Sequence, residues 1–109
     1  SDLTVMKRIL ASGEEFTAVY AISDTLAIGA CKAILESGRR IPEDISVAGF
    51  DGIDMSYYYS PTITTIQQPF EAMAEETVAV LFNVLRKKEE HQHRIFEAKL
   101  CVGGSTRKL

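Results

Sequence analysis

Two short apolar runs separated by a helix-length segment constrain this chain more than any other feature. "FTAVYAIS" (16–23) and "ISVAGF" (45–50) are rich in β-branched and aromatic residues, and "TLAIGACKAILES" (25–37) lies between them. Tight turns join antiparallel strands, whereas a connection of a dozen or more residues, usually a helix, joins parallel ones. Near-continuous apolar character in the strands further predicts burial between layers of helix. The expected class is therefore α/β, a parallel sheet flanked by helices.

The remaining segments fit that plan. Asp2 can cap a first helix over 3–12, which Gly13 stops. Asp24 can cap the helix over 25–37, and Gly38 ends it with Arg39 and Arg40 placed to complement the negative end of its dipole. The Tyr-rich segment after Asp51, residues 55–59, reads as irregular, "TITTIQ" (62–67) as a short extended piece, and Pro69 as the opening of a third helix. That helix carries Phe70, Met73, Ala74, Thr77, Leu81, Val84 and Leu85 on one stripe at helical spacing, a core face by its pattern. Residues 87–93 read as a flexible polar link, and 94–102 as a last strand before "GGSTRKL".

Composition excludes several function classes. With 46% hydrophobic and 25% charged residues the chain is globular, and its net charge of −3 comes without the basic stripe that a nucleic-acid surface needs. Cys31 and Cys101 have no CxxC spacing, so they read as buried thiols of a reducing, cytoplasmic setting. No apolar run is long enough to span a membrane, and no signal peptide opens the chain. His91 and His93 share one polar loop, far in sequence from any nucleophile. The acidic pairs Glu14–Glu15, Glu43–Asp44 and Glu75–Glu76 fall on turns or solvated faces. No catalytic constellation, metal site or cofactor motif is readable, and the chain is not expected to be an enzyme.

The positive signal lies at the strand ends. Open parallel sheets bind ligands at the carboxyl ends of their strands. Ser23 and Asp51 both follow an apolar strand directly, so both fall on that edge. A carboxylate there can accept hydroxyl hydrogen bonds from a sugar or other polyol, each contributing about 1.5–3 kcal/mol. Gly49 and Gly52 leave room for close backbone approach around it. The plainer alternative is that Asp51-Gly52 only makes a turn.

The chain resembles a known family through "SDTLAIGA", "IPEDISVAGFDG", "TTIQQP" and "GGSTR", which occur in the order and approximate spacing of the effector-binding core of lactose-repressor (LacI/GalR) regulators. The resemblance covers nearly the whole chain. It implies a two-lobed, periplasmic-binding-protein-like (type I) sensor that takes a small, sugar-like effector between its lobes. It also implies a homodimer that reads operator DNA through an N-terminal helix-turn-helix, which this sequence does not contain. By the family pattern 1–67 belong to the C-terminal lobe, 68–99 return to the N-terminal lobe and 100–109 cross back, so that the chain supplies only part of the sensor. The family's ligand-contacting carboxylate falls on Asp51, and the position before the capping Asp, often Asn in the family, is Ser23. The aromatic of the cleft floor falls on Phe70, with Gln68 nearby; a Gly often found in the third helix is Ala74. A transport-associated sugar-binding protein of the same fold is the alternative.

An interface expectation comes from the second helix. Ala27, Ala30 and Ile34 make one apolar face, and Ile28, Cys31 and Leu35 make a second beside it. Two faces imply that something packs from outside, and no other element of the chain is obviously free to do so. With Met55, Tyr58 and Tyr59 of the Tyr-rich segment, the second face is by resemblance the self-matching surface of a two-fold dimer; the plainer alternative is a deep core helix with both faces covered.

Overall fold

A computed structural model describes residues 2–86 and 94–109. The elements run α1 (Asp2–Ala11), β1 (Ala18–Tyr20), α2 (Asp24–Glu36), β2 (Ser46–Ala48), α3 (Asp54–Tyr58), β3 (Thr65–Gln67), α4 (Phe70–Leu85) and β4 (Lys99–Cys101). They form two compact units: the residues through Gln67 with Leu100–Leu109, and Gln68–Lys99.

In the first unit β1 and β2 pair in parallel, with Val19 opposite Val47, as the long helical connection between them requires. The backbone beyond β2 continues beside the segment leading into β3: Gly49 N donates to Thr64 O at 2.9 Å and Asp51 N to Ile66 O at 3.0 Å. β4 in turn is the neighbour of β3. The C-terminal tail fills the place where these two segments splay. Ser105 is fully buried there; its Oγ donates to Val47 O at 2.6 Å and accepts from Thr64 N at 2.8 Å. Farther along, the Arg107 guanidinium donates to the carbonyls of Pro42 and Glu43.

The core of this unit joins Met6 and Leu10 of α1, five residues of α2, and Ile41, Ile45, Val47 and Ile63. The α2 contribution is Ala27, Ala30, Cys31, Ala33 and Ile34, mostly small, which lets α1 lie close along it. Burial of each large aliphatic side chain here contributes roughly 1.5–3 kcal/mol. Gly13 and Gly38 end their helices at positive φ (83° and 87°), the conformation glycine adopts without strain.

Several expectations are corrected. β1 is buried on one face only: Val19 and, beyond the strand, Ala21 pack on the core, while Tyr20 and Ile22, alternating onto the other face, are 63% and 74% exposed. The irregular stretch after Asp51 contains α3. The last strand is limited to β4, with Ile95 in solvent. Arg40 does not serve the end of α2; its side chain and backbone N both bond the Asp44 carboxylate.

The second unit is described by itself. α4 forms over the expected span with Pro69 as its N-cap, but none of its residues is buried, so the stripe from Phe70 to Leu85 is not a core face within this chain. Arg94 pairs with Glu76 at 2.6 Å. The expected flexible link at 87–93, with Lys87, Lys88, His91 and His93, lies outside the described residues.

Candidate functional site

The carboxyl edge of the β1–β2 pair is organised by a residue that the sequence reading misassigned. Asp24 does not cap α2. Ser23 does, its Oγ accepting from Leu26 N at 3.2 Å from an extended backbone. Asp24 is instead the first helical residue, 1% exposed, with its carboxylate directed to the loop after β2. Oδ2 accepts from Gly52 N and Ile53 N, both at 2.8 Å, and Oδ1 accepts from Thr65 Oγ1 at 2.6 Å. A carboxylate taken out of water needs such donors, and charge-assisted bonds contribute about 1.5–3 kcal/mol each. The loop carries glycines where its neighbours approach most closely. A Cβ at Gly49 would collide with Asp24 Oδ1, and one at Gly52 would stand 2.5 Å from Gln67 Cα.

Asp51 lies inside this arrangement. It is half-buried, and it is the one non-glycine with positive φ (110°) among the described residues. Side chains are rarely held there, at about 1–3 kcal/mol, unless surrounding bonds enforce it, and functional loops are where such strain collects. Its peptide N bonds Ile66 O and it forms a parallel bridge with Gln67. Ser23 is brought to the same edge, since the next residue's N–H bonds Phe50 O at 2.9 Å. The Ser23 hydroxyl, already accepting from α2, keeps its proton to donate. Gln68 and Phe70 belong to the second unit. Phe70 opens α4, 48% exposed, with its N–H on Gln68 O at 2.9 Å. A cavity of about 360 Å³ opens beside the loop, lined by Gly52, Ile53, Thr65, Gln67, Tyr57 and Cys101 among others.

The expected interface residues divide. Tyr58 (78% exposed), Met55 and Leu35 stand at the surface of α2 and α3, two helices that touch each other. Ile28 is partly buried against the core, as is Tyr59. Cys31 is fully buried within this chain, with Tyr59 among its neighbours in the core, so its side chain is not presented at the surface for a partner. Burial also pushes its thiol up to about 12, far from reactive. Cys101, expected buried, is only half-buried, with its Sγ 3.6 Å from Gln67 Oε1.

Sequence reasoning also missed Thr65 and Ser105, whose hydroxyls tie distant segments together. The "SD" and "TT" pairs were visible, but nothing local distinguishes a capping Ser-Asp from one whose second member reaches another loop. Among the described residues no His/Cys/Asp/Glu cluster suits a metal ion, and no helix is long and apolar enough to cross a membrane.

Comparison with known proteins agrees with this architecture. The periplasmic binding protein-like domain family matches residues 2–106. The transcriptional regulator MalR of Clostridium butyricum is 42% identical over 95 residues, 87% of this chain but 28% of the regulator, so the chain spans little more than a quarter of that relative. A lac repressor dimer bound to operator and the anti-inducer ONPF superposes with a TM-score of 0.89 at 30% identity, over 96% of this chain and 37% of that one. A LacI family regulator from Enterococcus faecium with bound ribose gives 0.88 at 30% identity, over 99% and 40%. Matching fold, motif order and relatives together, the chain belongs to the periplasmic-binding-protein-like domain family, as part of the effector-binding core of a LacI/GalR-type regulator.

Proposed function

We propose that this chain is the effector-sensing and dimerisation portion of a bacterial transcription regulator, and that Asp51 accepts hydroxyl hydrogen bonds from a small sugar-like ligand. The observation carrying this reading is Asp51 itself, held at positive φ on the carboxyl edge of a parallel sheet. A turn alone would not need its neighbouring amides fixed by a buried carboxylate from another helix. We assign Ser23 to the same ligand as a hydroxyl donor, and, following the family pattern, we assign Gln68 and Phe70 of the second unit to it and the second unit to the N-terminal lobe of the sensor. The ribose bound by the Enterococcus faecium regulator supports the ligand class. In this reading operator DNA is read by a helix-turn-helix outside this chain, the protein works in the cytoplasm, and the site has no catalytic role and no cofactor.

Calorimetry on the complete gene product tests the ligand reading, with ribose and a panel of pentoses, hexoses and disaccharides. Asp51→Ala is expected to weaken binding at least about tenfold, the equivalent of about 1.4 kcal/mol, with thermal stability nearly unchanged. Equal affinity in the variant would assign Asp51 to the turn alone.

The dimer is assigned to Leu35, Met55 and Tyr58, with Ile28 and Tyr59 at its inner margin. Because Ile28 also packs on the core, a charge there would damage the fold as well as an interface. Tyr58→Asp is the cleaner probe, since a two-fold patch would confront the new charge with its own copy. Sedimentation should show a folded monomer at micromolar concentration; a persistent dimer would move the interface elsewhere.

A further inference from the structure

We infer that Asp24 is the positioning residue of the site, setting the backbone from which Asp51 presents its carboxylate; the inference rests on the ligand reading above. Asp24 brackets Asp51 on both sides. Its peptide N–H holds Phe50 O at 2.9 Å, one residue before Asp51. Its carboxylate holds the amides of Gly52 and Ile53 at 2.8 Å, the two residues after. Thr65 Oγ1 supplies the third donor and fixes the rotation of the carboxyl group from β3. The two side chains that meet here are buried, Asp24 at 1% and Thr65 at 4% exposure, while the loop they hold is half-buried.

The chemistry explains why an acidic side chain stands here. Two backbone amides converge on one oxygen while a hydroxyl donates to the other, a pattern that a carboxylate accepts whole. The φ of 110° at Asp51 persists only where the flanking peptides are held, and Asp24 bonds the flanking peptides on either side. Without the bracket Asp51 relaxes toward an ordinary backbone, and its carboxylate leaves the direction the ligand requires. Asp24 touches no ligand in this account. An Asn at this position can place its carbonyl oxygen on the two amides and its NH2 on Thr65 Oγ1, so it preserves the bracket at reduced strength.

The test uses the complete gene product, with ribose as the probe in calorimetry and hydrogen exchange followed across residues 49–53. Asp24→Ala should weaken ribose binding about tenfold or more and speed exchange at Gly52 and Ile53. Asp24→Asn should recover affinity to within about threefold of the wild type. Thr65→Val, which removes one donor and keeps the side-chain shape, should give an intermediate loss and serves if Asp24→Ala does not fold. Ile34→Ala is the control: it destabilises the core and should leave both affinity and exchange across 49–53 unchanged. The inference is overturned if exchange at Gly52 and Ile53 is unaffected in the Asp24 and Thr65 variants, or if Ile34→Ala reproduces their loss of affinity. Binding lost in Asp51→Ala but kept in Asp24→Ala overturns the inference and leaves the ligand reading standing. No wild-type binding to any sugar of the panel, with faster exchange in Asp24→Ala, overturns the ligand reading and leaves the bracket.

Discussion

The two edges of the β1–β2 sheet treat their carboxylates in opposite ways. At the carboxyl edge Asp24 is buried and draws three donors from a loop and a strand far away in sequence. At the amino edge Asp44 meets Arg40, four residues earlier, in an exposed pair, and Glu14 and Glu15 stand in solvent. The amino edge has the larger hollow, about 570 Å³ lined by Gly13, Glu14, Glu15, Phe16, Arg39, Asp44 and Ile45, against about 360 Å³ beside the Asp51 loop. Size therefore does not mark the site. What marks it is buried charge used to hold a strained backbone, which water would otherwise solvate more cheaply.

The glycines of the two edges should separate them most. Gly52 combines a φ of 75° with the backbone of Gln67 against any added Cβ, whereas Gly13, at 83°, has nothing within 4 Å. Gly52→Ala should cost about 3 kcal/mol or more, and Gly13→Ala about 1 kcal/mol, from backbone strain alone. Urea unfolding read by tyrosine fluorescence reports on the relevant unit, because Tyr20, Tyr57, Tyr58 and Tyr59 all lie within it. Equal costs would break the contrast.

A smaller effect is expected from the acid limb of stability. The hydrogen bonds from Arg40, side chain and then backbone, hold the Asp44 carboxyl below its ordinary value of 3.8. A carboxyl lowered on folding stabilises above its unfolded value and loses that contribution as pH falls through the folded one. Asp44→Asn should therefore match the wild type more closely as pH falls below 3.8, and also in about 1 M salt, which screens exposed pairs. A difference that persists in high salt would show the amino edge to be built like the other.

The same contrast explains what was legible in the sequence. Helix spans followed from apolar spacing and from Gly13, Gly38 and Pro69, and the parallel pairing followed from the length of the α2 connection. Asp51 was placed on the correct edge because strand ends are readable. Its bracket was not, since "SD" offers two capping residues and only the fold shows that Ser23 takes the helix and Asp24 the loop. Cys31 was turned outward because the Tyr-rich segment was read as a surface for a partner, whereas Tyr59 packs inward on the core beside it. For β1 the apolar pattern was read as burial, but pattern reports a preference, not whether a covering layer lies within the same 109 residues.

The most direct test of the account is difference hydrogen exchange on the complete gene product, with and without saturating ribose or whichever sugar of the panel binds. Slowing is predicted at Ser23 and across 49–53 on the carboxyl edge, with no change across 13–16 or 39–45 on the amino edge. Protection at the amino edge, or saturated binding with no slowing across 49–53, would contradict it.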